Sequence, residues 1–267
     1  MDLSGKIVVI TGGVSGIGLA LARKCLEIGA RVAICDLDEA HTRRVSDELG
    51  CLGIGADVSR EDAVQGLVAL VEERLGPIDI FVSNAGIYIL QPDHAASASD
   101  ADWMRNWAVH VMAHVYAARA LLPGMISRGS GRFVSVASAA GLLNQVGNAA
   151  YSASKHAAVS FAESLAIEHK DDGIEVSVVC PEYVATPLIG LSAEDAGGRL
   201  LSPEAVADAI VSGLREKRFL ILPHEEVQEH AIRRAGDHDR WIKGMQDLRR
   251  RVKETGKYLD RGGSGKD

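Results

Sequence analysis

Lys6-Ile7-Val8-Val9-Ile10-Thr11-Gly12-Gly13-Val14-Ser15-Gly16-Ile17-Gly18-Leu19 decides the fold. The unbroken apolar run at its start suits a strand buried on both faces of a parallel sheet. The glycines that follow end that strand in a tight turn, and residues 19–28 are helix-forming, so the stretch reads strand, turn, helix. Glycine lets a backbone approach a pyrophosphate closely, and the free N–H groups of the next helix supply a partial positive charge to hold it. Glycine strings occur in many turns. The strand before and the helix after make this one a dinucleotide-binding candidate, with Gly12, Ser15, Gly16, Ile17 and Gly18 as contacts.

Working outward, similar β-branched or apolar runs recur at 32–35, 78–82, 133–137, 176–179 and 219–222, with a weaker one at 52–55. Between them lie stretches with three-to-four apolar spacing, such as Ala63, Leu67, Leu70, Val71 and Leu75. This alternation predicts an α/β fold, a doubly wound parallel sheet with right-handed crossovers, over residues 1–222. Residues 223–260 are expected to form a C-terminal helical extension, broken near Gly236-Asp237. Trp241, Met245, Leu248 and Val252 share one stripe there, flanked by Arg240, Lys243, Arg249, Arg250 and Arg251. The glycine-rich tail at 261–267 is expected to be disordered.

The 267 residues are 47% hydrophobic, enough for a large core, and carry a net charge of −7. With basic residues scattered until the last stretch, no nucleic-acid surface is expected. No apolar run is long enough to span a membrane, and residues 1–5 are too short and polar for a signal peptide, so a cytoplasmic location is expected. Cys25, Cys35, Cys51 and Cys180 show no metal-ligand spacing; they read as small buried hydrophobes in a reducing compartment, and no metal is expected.

Asp36 closes the second run. A carboxylate there can accept hydrogen bonds from both ribose hydroxyls of an adenosine and repels a 2′-phosphate. No Arg or Lys stands at Val14, Ser15 or Leu37 to offset that repulsion, so the preferred cofactor is NAD over NADP. A charge at the start of the next helix is the alternative reading of Asp36. Further on, Tyr151 and Lys155 are four apart, one turn on a shared helix face. An ammonium about 4 Å from a phenol, at an effective dielectric near 20, favours the phenolate by about 4 kcal/mol. Desolvation opposes this, and the balance is expected to bring the phenol towards working pH as an acid/base. Ser138, at the end of the 133–137 run, can hold a substrate oxygen against that phenol, or simply cap a loop.

These residues, in this order and spacing, resemble the single-domain short-chain dehydrogenase/reductase family from about residue 5 to residue 222. The resemblance implies a Rossmann fold, with Gly12, Gly16 and Gly18 as the cofactor fingerprint and Ser138, Tyr151 and Lys155 as catalytic residues. It implies that Asp57-Val58 contact adenine, that Asn84-Ala85-Gly86 is the family's turn after the fourth strand, and that Lys155 also binds the nicotinamide ribose. Pro181, Val184 and Thr186 match the segment along the nicotinamide. Three departures stand out. His110, in Val109-His110-Val111, replaces an asparagine whose carbonyl holds a relay water; it is a candidate for that backbone role, for a relay through its imidazole, or for plain accommodation in the helix. Glu182 follows Pro181 where glycine is usual, and Ser83 replaces a first asparagine.

The expected activity is hydride transfer between NAD(H) and a hydrophobic secondary alcohol or ketone, contacted by Ser138, Tyr151, Leu143 and Tyr183. Other apolar pocket candidates are Leu142, Val146, Leu188 and Ile189. Small residues along the helices that family members pair between subunits imply a homodimer or homotetramer. A NAD-binding sensor without turnover, its alternative, is argued by His110 and Glu182 and opposed by Ser138, Tyr151 and Lys155.

Overall fold

In the computed structural model, which describes residues 3–90, 93–188 and 200–255, seven parallel strands make one sheet in the order β3-β2-β1-β4-β5-β6-β7. They are β1 (Ile7–Thr11), β2 (Arg31–Asp36), β3 (Leu52–Gly55), β4 (Ile80–Ser83), β5 (Gly131–Val136), β6 (Ile174–Val179) and β7 (Leu220–Ile221). The runs picked out in the sequence are these strands, shifted by a residue or two. The largest trim is at β4. There the Asp79 carboxylate accepts the Ile7 amide (2.9 Å) and the Lys6 ammonium (2.8 Å), so residues 78–79 tie down the start of β1 before the ladder begins.

The central strands β1, β4, β5 and β6 are buried from both sides, which is why their apolar runs are largely unbroken, whereas β3 at the sheet edge is only partly buried. Along β1, Ile7 and Val9 enter one core layer and Val8 and Ile10 the other. The first layer lies under α3 (Glu61–Leu75), α5 (Ala113–Ser127) and α7 (Ala149–Glu168); the second lies under α1 (Gly16–Glu27), α2 (Glu39–Leu49) and α8 (Pro203–Arg215). Cys25, Cys35 and Cys180 are buried in these layers, and all four cysteines are unpaired thiols.

Strand order reverses between β1 and β4, and the strand ends there open a crevice of the kind that takes ligands in open α/β sheets. The helix facing it is not uniform. α4 (Asp100–Trp107) runs into α5 through a π turn at Ala108–Met112. Such turns concentrate at functional sites. A short α6 (Ala140–Leu143) follows β5.

Beyond β7, α9 (Glu225–Gly236) and α10 (His238–Thr255) meet at Asp237. They pack on α6 through a cluster of Ala139, Leu143 and Val227, with Leu142, Ala231 and Trp241 at its edge. Val252, last of the expected apolar stripe, is buried. The tail expected at 261–267 lies outside the described residues. Among the described residues no helix is long and apolar enough to cross a membrane, and no group of three metal-binding side chains occurs.

Candidate active site

The glycine turn is built by exclusion. Gly12 and Gly16 have φ of +65° and +51°, and a Cβ on Gly18 would lie 2.1 Å from the Gly12 carbonyl oxygen. Those positions leave room only for hydrogen. Asn84 closes the turn from the other side: its Nδ2 donates to the carbonyls of Thr11 (2.9 Å) and Gly12 (3.1 Å). Thr11 returns the contact, its Oγ1 accepting the amides of Asn84 and Ala85, each at 3.0 Å. The Asn84 side chain thus holds β1 to the loop after β4.

A cavity of about 370 Å³ opens above this turn. Gly12, Ser15, Gly16 and Ile17 form its floor, and Asp36, Asp57 and Val58 one end. Asn84, Ala85, Gly86, Pro181, Val184 and Thr186 line it further along, and Ser138, Tyr151 and Lys155 close the opposite end. Of the residues named for the cofactor, Gly18 alone is off the lining; it acts by letting α1 approach Gly12. The Asp36 Oδ1 accepts the Leu37 amide at 2.8 Å. The Asp57 Oδ1 accepts the Ser59 amide and hydroxyl, which shapes that loop. A lining that runs from the carboxylates after β2 and β3, across a glycine turn at a helix start, to the residues after β5 fits a dinucleotide.

Tyr151 and Lys155 are presented by the first two turns of α7. Asn148 caps the helix by accepting the Tyr151 amide at 3.3 Å. The Tyr151 phenol is hydrogen-bonded by Ser138. The Lys155 Nζ donates to the Val136 carbonyl at 3.0 Å and lies 5.7 Å from the centre of the Tyr151 ring. For the protein alone the balance runs the other way from the one expected. Burial pushes the phenol up to about 12, against the opposing hydrogen bond from Ser138, and pushes Lys155 down to about 8. Desolvation beats the attraction between the two side chains, because the ammonium is turned to a backbone carbonyl rather than paired with the phenol.

His110, on the π turn, is fully buried. Its Nε2 accepts the Ile87 amide at 3.1 Å, and its Nδ1 is 2.9 Å from the Ser154 hydroxyl, which donates to the Tyr151 carbonyl at 2.8 Å. The imidazole stands edge-on to the Tyr151 ring, centres 5.3 Å apart at 89°. It does not line the cavity.

Two residues named for the substrate are placed elsewhere. Leu143 is packed into the cluster under α9, because α6 turns towards the C-terminal helices. Tyr183 is off the lining as well, its carbonyl held by His224 at 3.1 Å. Of the other apolar candidates, Leu188 lines the cavity, Leu142 packs at the edge of the cluster, Val146 is not on the lining, and Ile189 lies outside the described residues.

Three side chains around the site went unread in the sequence. Tyr88 lies edge-on to Tyr151, centres 5.3 Å apart, and its hydroxyl takes a 2.6 Å bond from Gln145. Tyr88 comes two residues after the Asn-Ala-Gly turn, which was the available signal. His114, one turn beyond His110, is buried with its Nδ1 3.1 Å from the Ser135 hydroxyl; burial pushes it down to about 3. His224, also buried, accepts the Glu182 amide at Nδ1 (3.1 Å). Nothing in its surroundings in the sequence pointed to that.

Residues 6–196 match the family model described as short chain dehydrogenase. The chain is 33% identical over 250 residues to a D-beta-hydroxybutyrate dehydrogenase of Rhizobium meliloti, covering 90% of this chain and 95% of that one. Among solved structures, a short chain dehydrogenase/reductase from Burkholderia phymatum in complex with NAD superimposes with a TM-score of 0.81 at 28% identity, covering 90% of this chain and 96% of that one. A 3-ketoacyl-(acyl-carrier-protein) reductase from Brucella melitensis complexed with NADH gives 0.77 at 31% identity, covering 82% and 96%. With the glycine-floored cavity at the β1–β4 crevice and a Ser, Tyr and Lys on its lining, the chain belongs to the short chain dehydrogenase family of oxidoreductases.

Proposed function

We propose that the protein transfers a hydride between NAD(H) and a hydrophobic secondary alcohol or ketone, with Tyr151 as acid/base. One observation carries this reading: Ser138, Tyr151 and Lys155 stand together on the wall of the cavity whose floor is the glycine turn. A bound dinucleotide supplies the hydride donor or acceptor and, when oxidised, a positive ring. The protein's own residues do the rest. Ser138 donates to the substrate oxygen and holds it against the phenol. In reduction Tyr151 gives its proton to that oxygen as negative charge develops; in oxidation it takes the hydroxyl proton. Lys155 sets the local positive charge and holds the ribose.

The preference for NAD rests on Asp36 at the adenosine end, with no Arg or Lys at Val14, Ser15 or Leu37. The preference for an apolar substrate rests on Ile87, Val109, Ala137, Val184 and Leu188 along the wall. Met104, Trp107 and Ile167 on α4 and α7 are exposed, which supports pairing of copies as a homodimer or homotetramer.

The test is NADH absorbance with a panel of hydrophobic secondary alcohols and ketones. Tyr151→Phe is expected to bind NADH with unchanged affinity and to lose about 10²-fold or more of kcat. Full turnover in that variant removes the acid/base assignment. Asp36→Ala is expected to narrow the preference for NAD over NADP by about tenfold or more. An unchanged ratio of kcat/KM for the two cofactors removes the ribose contact.

A further inference from the structure

His110 occupies the position from which a proton relay is expected, and its hydrogen bonds give it a different task. The Ile87 amide can only donate, so Nε2 accepts and carries no proton. The ring is therefore neutral, and its one N–H is on Nδ1, directed to the Ser154 oxygen. That oxygen has its own hydrogen committed to the Tyr151 carbonyl. Each hydrogen is used once and all run one way: Ile87 amide to imidazole, imidazole to Ser154, Ser154 to the Tyr151 carbonyl. A relay would need one ring nitrogen to take a proton while the other releases one, which would break the Ile87 bond. Lys155, the group such a relay would serve, directs its ammonium to Val136 instead.

Three segments meet on this chain: the loop after β4 that lines the cavity, the π turn, and the first turn of α7 that carries the phenol. The imidazole also stands perpendicular to the Tyr151 ring, as Tyr88 nearly does, so the phenol ring has two T-shaped aromatic neighbours. Gly86 fits under the imidazole, where a Cβ would sit 3.4 Å from Nε2.

We infer that His110 and Ser154 form a positioning pair for Tyr151, fixing its backbone and ring against the cavity wall through a single imidazole tautomer, and that the imidazole carries no proton to or from the site. The inference rests on the reading of Tyr151 as the reacting phenol.

The experiment has two arms. In the first, ¹⁵N spectra of histidine-labelled protein without substrate, assigned by comparison with His110→Gln, report the tautomer directly. The expected result is an Nδ1–H ring unchanged between about pH 6 and 9. An Nε2–H ring, or one that titrates in this range, overturns the inference. In the second, His110→Gln and Ser154→Ala are each expected to lower kcat about tenfold with KM for NAD unchanged. The double variant should lose no more than either single one, because both cut the same chain. Added imidazole should restore nothing. Additive losses, rescue by imidazole, or wild-type kcat in both single variants overturns the inference. Full turnover in Tyr151→Phe would instead remove the acid/base reading, and the first arm, run without substrate, would still judge the tautomer.

Discussion

Lys155 shows what it costs to place chemistry inside a core. Its side chain is buried, its ammonium has a carbonyl for a partner, and burial lowers its proton affinity to about pH 8. An unfolded lysine holds its proton up to about pH 10.4. Between those values the unfolded chain binds more protons than the folded one, so this group's contribution to stability rises with pH through the window; below about 8 the burial penalty is present in full. Lys155→Met should therefore raise the thermal midpoint of the cofactor-free protein by a few degrees at neutral pH. The gain should shrink as pH rises past about 8 towards 10, while turnover is lost at every pH. Differential scanning fluorimetry across that range checks it. A variant less stable than wild type at pH 7 would mean that the Val136 contact outweighs the burial penalty.

At the scale of elements, the decisive contact is between the loop after β6 and the start of α9. His224 spans the two, accepting the Glu182 amide and bonding the Tyr183 carbonyl, each at 3.1 Å. Pro181 and Val184 on either side line the cavity. Removing the imidazole leaves an amide and a carbonyl to find other partners, at about 1–3 kcal/mol apiece if they stay dry. The loop then spends less time in its binding-competent shape, and apparent affinity falls by that fraction. His224→Ala should weaken NADH binding about five- to tenfold in a fluorescence titration. An unchanged Kd would show that the loop is held from elsewhere. This joint was not legible in the sequence, since His224 follows a two-residue strand and meets a backbone some forty positions away. The strands were legible because burial on both faces writes itself as unbroken apolar runs, as at β1. The placing of Leu143 was not legible for a related reason: an apolar residue a few positions after Ser138 reads the same whether it faces a ligand or α9, and the packing of the C-terminal helices places it in the cluster with Val227.

For the molecule as a whole, the two histidines between sheet and helices make acid a specific threat. The sequence marked His110 as a candidate for the proton relay and passed over His114, although their spacing of four puts both on one helix face. Folding buries both imidazoles. Burial holds His110 well below the usual histidine range, and His114 down to about 3. In the unfolded chain both take protons near pH 6.5. As pH falls from there towards about 3, the unfolded state binds protons that the folded state refuses, so stability present above about 6.5 drains away. Each histidine adds a slope of about 1.4 kcal/mol per pH unit once its unfolded form is fully protonated. Carboxylates held below their ordinary range by hydrogen bonds, such as Asp38 by the His41 amide and Asp62 by Arg60, add slopes of their own, so the comparison must be between variants. His114→Gln keeps a polar group within reach of Ser135 and removes one titrating ring. Urea unfolding of wild type and His114→Gln between about pH 7 and 5 should give a smaller loss of stability for the variant, by up to about 1.4 kcal/mol per pH unit. Parallel losses in the two proteins would mean that His114 gains its proton without unfolding, and that the layer between the sheet and α5 is open enough to admit one.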